Sequence, residues 1–288
     1  MQTEMPIYPI GISIDGNRLN EAIFNECRKT GISAIEVSVA SEDVSPSDYE
    51  ALRKMSLSSG VSLWSYHLPF CPFEQLDLSV KKLQKETLRQ LICHMRLAAE
   101  IGIRIFVLHA SGEPIEDNER EERLQTAEES LYVLAEEARR LGGTVAVENL
   151  PRTCLGKDDA EMLRLLSAHR ALRACCDTNH CLTMKPETLI RRLGNRILTL
   201  HVSDYDFVNE RHWLPGEGKV DWQSVLAALR ETGYRGVWLY ETGFECPPTI
   251  LRDRDLTCED HVLNAREVFA GRSITRISRD KPNLGFWR

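Results

Sequence analysis

The chain has 288 residues, of which 42% are apolar, 27% charged and 7% aromatic, which is the composition of an ordinary globular protein. This length is enough to bury a sizeable core, so neither disulfides nor a structural metal ion is required for folding. Lysine and arginine total 36 against 43 acidic residues, and the net charge of -7 argues against a nucleic-acid-binding protein.

Short β-branched runs alternate with longer segments of helical periodicity along the chain. We predict eight strands, at residues 7–14, 34–39, 61–67, 103–109, 144–149, 172–177, 197–202 and 236–241. Eight helices are predicted between and after them, at residues 20–30, 46–59, 79–101, 118–141, 158–169, 185–193, 222–232 and 258–269. Most of the strands are near-continuous apolar runs, as expected for parallel strands that are covered on both faces.

Glycines follow several of the predicted helices directly, as Gly31, Gly60 and Gly102 do, and this is a common helix stop. Eight strand–helix units without a break in composition predict an α/β fold, a single (β/α)8 TIM barrel over residues 1–288. A basic tail begins at about residue 271 and is expected to wrap the barrel or to mediate oligomerisation. An open doubly wound sheet is the alternative, which the lack of a G-x-G-x-x-G motif after the first strand disfavours.

The nine cysteines are scattered and form no C-x-x-C motif, which indicates reduced thiols rather than a disulfide framework. The first residues do not have the pattern of a secretory signal. No apolar run approaches the roughly 18 residues that a membrane span requires. We therefore expect a cytoplasmic location and no membrane partner.

Side chains that can bind metal ions lie at or near the carboxyl ends of six predicted strands. They are His67, His109, Glu148, Asp177, His201 and Glu241. In a barrel these ends share one rim, where the active sites of this fold are built. Buried carboxylates that lie close together repel one another, and a divalent cation removes that penalty. The pattern therefore predicts a metal site, which His180 and His212 from the following loops can join.

Short motifs around these residues resemble those of the xylose isomerase-like TIM barrels. The motifs are VENL at Glu148, CDTNH at Asp177, LHVSD at His201, RHWLPGEG at His212 and LYET at Glu241. The resemblance covers nearly the whole barrel, from His67 to Glu241. The superfamily contains sugar isomerases and epimerases and also the zinc-dependent apurinic endonucleases.

The resemblance to the epimerases implies one divalent metal ion, held by Glu148, Asp177, His201 and Glu241. Glu148 and Glu241 would also form the acid–base pair that moves a proton through an enediolate. This oxygen-rich ligand set suits Mn²⁺ or Mg²⁺, with Mn²⁺ favoured, whereas the surrounding histidines favour Zn²⁺. The implied activity is isomerisation or epimerisation of a small sugar or sugar phosphate.

Four further residues are predicted to contact the polyhydroxylated substrate. His180 and Arg211 would bind a substrate hydroxyl or phosphate group, and Trp64 and Trp213 could form an apolar wall against the C–H faces of a sugar. The alternatives to substrate contact are that Arg211 is a solvated arginine in a loop and that the two tryptophans pack beneath loops. Relatives commonly assemble as homodimers or homotetramers, and either assembly is expected here.

A second hypothesis remains open, because the apurinic endonucleases of the superfamily use three zinc ions and more histidines. Their additional ligands would fall on His67, His109, His180, Glu210 and His212, where Glu210 stands in place of an aspartate. Such a site would hydrolyse a phosphoester with metal-bound hydroxide. The rim loops are mixed or acidic, whereas a nuclease needs cations that face phosphates, so the charge favours a small substrate. A sugar sensor without activity is the third hypothesis, which the pair of glutamates disfavours.

Overall fold

The computed structural model describes residues 8–39, 46–70, 72 and 75–279. The barrel strands are β1 (Ile10–Asp15), β2 (Ala34–Ser38), β3 (Ser62–His67), β4 (Ile105–His109), β5 (Thr144–Glu148), β6 (Arg173–Asp177), β7 (Ile197–His201) and β8 (Trp238–Tyr240). The surrounding helices are α1 (Glu21–Thr30), α2 (Pro46–Ser59), α3 (Gln84–Glu100), α4 (Arg120–Arg140), α5 (Asp159–Ser167), α6 (Pro186–Leu193), α7 (Trp222–Thr232) and α8 (Cys258–Phe269). The predicted (β/α)8 TIM barrel is confirmed.

The strands form one parallel sheet in the order β7-β6-β5-β4-β3-β2-β1-β8. Its two ends meet through a parallel bridge between Val202 and Tyr240, where the amide of Val202 donates to the carbonyl of Leu239 at 2.8 Å. Closure brings the carboxyl ends of all eight strands to one rim. This rim is where the fold can place side chains from distant parts of the chain side by side.

Helix boundaries follow local chemistry. The Asn20 side chain caps α1 by accepting from the amide of Ile23, and Gly31 ends the helix with a φ of 106° that favours glycine. The predicted helix at 79–101 begins later, at Gln84, because the Asp77 carboxylate accepts from the amide and the hydroxyl of Ser79 and holds a turn there. That turn replaces the first part of the predicted helix.

Two β-bulges alter which residues face the barrel interior. In β3 the partners of Ile35 and Glu36 are Leu63 and Ser65, so Trp64 is an extra residue. In β7 the partners of Ala174 and Cys175 are Ile197 and Thr199, which makes Leu198 the extra residue. A bulge breaks the strict alternation of a strand, so a side chain beyond it faces the side opposite to the expected one.

The main hydrophobic core lies between the barrel and its helices and includes Ile35, Phe106 and Leu200. The described part of the tail packs onto this assembly, where Ser278–Arg279 pairs with Leu251–Arg252 in a two-stranded antiparallel sheet. Residues 280–288 of the predicted tail, like the start of the predicted strand at 7–14, lie outside the described residues.

Within the described ranges, no helix is long and apolar enough to cross a membrane. The eight cysteines that the structure describes are all free thiols.

Candidate metal centre

The structure brings the predicted ligands together at the carboxyl end of the barrel. Three groups have potential ligand atoms within 4.8 Å of one another: His67, Glu148, His201 and Glu241; Glu148, Asp177 and His180; and His180, Glu210 and His212. His109 joins them through its Nε2 atom, 3.3 Å from Oε2 of Glu148. Side chains from five strands and from the three loops after β6, β7 and β8 therefore meet in one small volume.

Glu148, at the end of β5, lies at the centre of this cluster and is fully buried. Its Oε1 atom lies 3.0 Å from Nδ1 of His201 and 3.3 Å from Nδ1 of His180, and its Oε2 atom lies 3.1 Å from Nε2 of His67. Burial acts to raise the pKa of Glu148, but His201, together with hydrogen bonds from His109 and His180, holds it well below its ordinary value. The carboxylate is therefore ionised at neutral pH.

The histidines are oriented by groups behind them. A carbonyl oxygen only accepts, so Nδ1–H of His67 donates to Leu68, Nδ1–H of His180 to Asn149, and Nδ1–H of His212 to Glu241, at 3.0 to 3.1 Å. In His67 and His180 the other ring nitrogen then faces a carboxylate oxygen. Two lone pairs at this distance repel unless a proton or a cation lies between them, and this arrangement of an outer acceptor behind each histidine is typical of metal ligands.

Two carboxylate oxygens of the cluster support a cation at this position. Oδ2 of Asp177 and Oε2 of Glu241 are buried and have no hydrogen-bond partner within the described part of the chain. Burial and the nearby Glu148 and Asp177 raise the pKa of Glu241 well above its ordinary value, against the opposing effect of His201. Buried carboxylate oxygens without donors are costly, and a divalent cation would satisfy them. The donor set therefore fits a metal ion.

Glu36, in the middle of β2, is a member of this cluster that the sequence analysis did not identify. Its side chain is fully buried inside the barrel and accepts from Ser13 at 2.9 Å, from Ser65 at 2.7 Å and from Nε2 of His201 at 2.9 Å. The signal in the sequence is a lone glutamate within the apolar run AIEVSV. Burial acts to raise the pKa of Glu36, but His201 lowers it below its ordinary value, so an ionised carboxylate lies behind this ligand.

The long loop after β7 carries His212 back to the rim. Asp204 holds this loop by accepting from the amides of Gly216 and Val220 and from the indole of Trp222. A Cβ atom at Gly218 would lie 2.2 Å from Oδ1 of Asp204, so only glycine fits there. The second glycine of the RHWLPGEG motif is thus explained by the close approach of the loop backbone to Asp204.

Backbone strain accompanies this loop and the loop after β5. Arg152, Phe207 and His212 have positive φ angles of 53°, 63° and 52°, and they are the non-glycine residues with this conformation in the described ranges. Such conformations cost energy and cluster at functional sites. The amides of Arg211 and His212 both donate to Oδ1 of Asn179, which joins the strained loop to the CDTNH motif.

The four predicted substrate contacts lie in different surroundings. His180 is in the ligand cluster, and Nε2 of its ring lies 3.1 Å from Oε2 of Glu210. The Arg211 guanidinium pairs with Asp206 at 2.9 Å and lies over the ring of Trp213, 5.9 Å from its centroid. The indole of Trp213 donates to Thr249.

Trp64 is not brought to the rim with the others. As the bulge residue of β3 it packs inside the barrel against Ala34, Val237 and Leu239, and its indole donates to Thr199 across the interior. Trp64 therefore lies below the ligand cluster as a packing residue inside the barrel and not in contact with the rim.

A cavity of about 220 Å³ opens beside the ligand cluster, with Glu241 and His212 on one side and the ends of β1 and β2 on the other. A larger cavity of about 620 Å³ lies between the loops after β3 and β4, and its described lining contains none of the predicted ligands. Of these two cavities, the smaller one is lined by Glu241, a candidate acid–base residue, and is the candidate substrate pocket.

The model of the family described as xylose isomerase-like TIM barrel matches residues 24–256. An uncharacterized protein of Sinorhizobium fredii is 28% identical over 102 residues, 34% of this chain and 33% of its own. Another, from Methanocaldococcus jannaschii, is 28% identical over 182 residues, 59% of this chain and 61% of its own. The matches thus span between a third and about three fifths of these relatives.

Solved structures share the fold over nearly the whole chain. A D-tagatose 3-epimerase-like protein is 20% identical, with a TM-score of 0.75 and coverage of 93% of this chain and 96% of that one. A D-psicose 3-epimerase crystallised in the presence of D-fructose is 19% identical, with a TM-score of 0.72 and coverage of 93% and 98%. A xylose isomerase domain protein from Planctomyces limnophilus is 15% identical, with a TM-score of 0.69 and coverage of 93% and 97%.

Proposed function

Since this chain belongs to the family of xylose isomerase-like TIM barrels, we propose that it is an enzyme that isomerises or epimerises a small sugar or sugar phosphate with a divalent metal ion. Epimerases among the solved structures of the same fold support this class. The observation that carries the proposal is the pair Glu148 and Glu241, which offer ligand oxygens within 4.8 Å of one another and of nitrogens of His67 and His201, with Glu241 also lining the cavity. Such a pair can supply one base and one acid.

The metal ion would be held by the unpartnered oxygens and the oriented imidazole nitrogens. We assign Glu148, Asp177, His201 and Glu241 as its ligands, and the oxygen-rich set favours Mn²⁺ over Zn²⁺ or Mg²⁺. When bound, a divalent cation acts as a Lewis acid that stabilises negative charge on substrate oxygens.

The two glutamates would move the proton. Glu148 would accept a proton from the carbon next to a substrate carbonyl, while Glu241, which lines the cavity, would return a proton to the substrate. A substrate hydroxyl would compete with Glu210 for the Nε2 atom of His180, since the Nδ1–H group of this ring already donates to the carbonyl of Asn149. Arg211 would hold Trp213 in place, because its guanidinium lies over the Trp213 ring and is itself fixed by the ion pair with Asp206.

The alternative, phosphoester hydrolysis by several zinc ions, depends on His180, Glu210 and His212 as a further ligand group. Burial acts to raise the pKa of Glu210, but the hydrogen bond from His180 lowers it to about 2, so this carboxylate is ionised. One oxygen of Glu210 is also paired with Arg152 at 2.9 Å. That ion pair competes with metal binding, so the proposal remains a single catalytic metal ion.

We further propose a cytoplasmic location, which the free thiols support. A homodimer or homotetramer remains a prediction.

The proposal is tested by metal analysis and by hydrogen exchange. The protein is purified without chelator, its metal content is measured by plasma mass spectrometry, and it is incubated in D₂O with a panel of ketoses and aldoses. We expect about one divalent ion per chain and deuterium incorporation next to the carbonyl, followed by proton NMR. Glu148→Gln and Glu241→Gln should each reduce the exchange rate by roughly 10²-fold or more, since each removes a general acid or base.

The matched control is Glu136→Gln, a carboxylate on α4 that pairs with Arg139 and His169 far from the rim. It should exchange like the unaltered protein. Full exchange by metal-loaded Glu148→Gln and Glu241→Gln proteins would contradict the mechanism. Two or three zinc ions per chain, with cleavage of a phosphodiester, would favour the hydrolase instead.

A further inference from the structure

Two carboxylates, Asp15 and Glu241, line the smaller cavity, in which we place the substrate. Glu241 is assigned to the metal ion, whereas Asp15 uses one carboxylate oxygen to accept from the amide of Asn17 and retains the other. The hydroxyl of Ser13, which also lines the cavity, already donates to Glu36. A ligand in this cavity therefore has to supply donors, as the hydroxyl groups of a polyol do, whereas a phosphate dianion presents only acceptors.

One arginine lines the described part of this cavity, and its charge is already compensated. Arg18 forms a two-point ion pair with Glu245, in which Nη2 lies 2.6 Å from Oε1 and Nη1 lies 3.0 Å from Oε2. A guanidinium that binds a carboxylate in this way has used the donor pair with which it would bind a phosphate. Arg18 therefore offers little to an anion while Glu245 is in place.

The other arginines next to the ligand cluster are paired as well. Arg152 contacts both Glu113 and Glu210, and Arg211 contacts Asp206. The rim thus contains arginines, but their charges are neutralised by neighbouring carboxylates.

Arg18 is the lysine or arginine residue among the described residues that line the smaller cavity, and it is paired with Glu245. Lys81, Lys82 and Arg123 line the larger cavity, which does not reach Glu241. There Lys81 pairs with Glu129 and Arg123 with Asp77. Within the described lining of the smaller cavity, no unpaired lysine or arginine is therefore available to a phosphate.

From these contacts we infer that the enzyme acts on an uncharged polyhydroxylated molecule and discriminates against its phosphorylated counterpart. The inference rests on the proposed function and deepens it. On the side of the cavity formed by the end of β1, a phosphate would lose water and meet a guanidinium that Glu245 already binds, while Asp15 would repel its charge. A neutral sugar would instead donate a hydroxyl hydrogen to Asp15 and lay its C–H face on Phe244, which also lines the cavity.

The test uses matched pairs of ligands that differ only in a phosphate: D-fructose with D-fructose 6-phosphate, and D-tagatose with D-tagatose 6-phosphate. Binding to the metal-loaded protein is measured by calorimetry, and deuterium exchange from D₂O by proton NMR. We expect the neutral member to bind and exchange with at least a roughly tenfold advantage in Kd and kcat/KM, a modest factor for one uncompensated charge.

A charge-release variant makes the test specific to this pocket. Glu245→Gln frees Arg18, so we expect the variant to bind the phosphorylated ketoses and inorganic phosphate roughly tenfold more tightly than the unaltered protein does. The matched control is Glu231→Gln, which frees Arg191 from an equally exposed ion pair at the far end of α7. The control should leave the preference for neutral ligands unchanged.

The outcomes separate the inference from the proposed function. Exchange that favours the phosphorylated ketoses overturns the inference and leaves the isomerase proposal intact. Preferential binding of the neutral ketoses without any exchange supports the inference and counts against the isomerase proposal. If neither ketose of a pair binds, or if Glu245→Gln and Glu231→Gln gain phosphate affinity equally, the assignment of this pocket to an uncharged sugar is wrong.

Discussion

The two faces of the barrel strands contrast sharply, although they belong to the same short segments. The outer face packs Ile35, Phe106 and Leu200 against the helices, and each of these side chains is fully buried or nearly so. One residue further along the chain, the inner face presents Glu36 and His201 to the interior. The alternation of a strand thus separates two tasks, because burial of apolar area stabilises the fold while the inner residues are left for chemistry.

The inner face also differs in how its polar groups are satisfied. Deep in the barrel the carboxylate of Glu36 has three donors, whereas at the rim oxygens of Asp177 and Glu241 have none within the described residues. The carboxylate deep in the barrel has its hydrogen bonds within the protein, whereas the carboxylate oxygens at the rim need a bound ligand to satisfy them. This gradient along one face predicts where substitutions affect stability and where they affect metal binding and catalysis.

The largest effect on stability is expected from the outer face. Phe106→Ala should lower the free energy of unfolding by about 3–5 kcal/mol, because the change removes a buried ring and leaves a cavity. Metal content and activity per folded molecule should be retained. Chemical denaturation followed by fluorescence measures the free energy of unfolding, and plasma mass spectrometry measures the metal content. Tyr132→Ala is the control on α4, since this ring is 53% exposed and its removal should cost much less. Loss of metal from Phe106→Ala without loss of stability would contradict the separation of the two faces.

A second prediction contrasts buried histidines on the two faces. His261, on α8, is fully buried in the outer layer, where its ring bonds to Thr242 at 2.7 Å and to the carbonyl of Thr257 at 2.7 Å. Burial lowers the pKa of His261 to about 4 from an ordinary 6.5, against the effect of Asp260 and with that of Arg252. At the rim, by contrast, the ring of His201 lies between two carboxylates, with Nε2 2.9 Å from Glu36 and Nδ1 3.0 Å from Glu148.

The lowered pKa of His261 has a consequence for stability. Above pH 6.5 the ring is neutral in both the folded and the unfolded chain, and its contribution is fully present. As the pH falls towards 4 the unfolded chain binds a proton that the folded chain does not, so about 3 kcal/mol of stability is lost. Unfolding curves recorded with chelator should therefore fall more steeply with decreasing pH for the unaltered protein than for His261→Gln. Parallel curves for the two proteins would exclude His261 as the cause.

The smallest predicted effect comes from the deep part of the inner face. Glu36→Gln should weaken divalent-metal affinity by roughly 10- to 100-fold, because the carboxylate that orients His201 and keeps its Nδ1 atom unprotonated is replaced by an amide. Competition with a chromophoric chelator measures this change. Ser65→Ala, which removes one donor to Glu36 and leaves its charge, should have a smaller effect. Unaltered metal affinity in Glu36→Gln would show that Glu36 serves only to fill the interior.

The order and type of the secondary-structure elements could be predicted well from the sequence. Apolar runs such as AIEVSV and helix stops such as Gly31 act locally, over a few residues, and the sequence shows them directly. The start of a helix is harder to predict from the sequence. Helix α3 begins later than predicted because the Asp77–Ser79 hydrogen bonds compete with helix formation there.

Residues on the inner face were predictable only where a strand ends. His109 and Glu148 stand out because a polar side chain directly follows an apolar run. Glu36 lies inside such a run, and the orientation of Trp64 depends on a bulge that no periodicity reveals. Both positions depend on strand register, which is a property of the neighbouring strand as much as of the strand itself.

The sequence by itself determined the barrel and placed nine potential ligands at its strand ends and loops, because periodicity, caps and strand termini are encoded over short distances. The tertiary structure decided which ring nitrogen of each histidine faces the cluster, which carboxylate oxygens have no donor, and which arginines are already paired. These are contacts between residues as far apart as Arg18 and Glu245, and only the closed barrel brings such residues within hydrogen-bond distance.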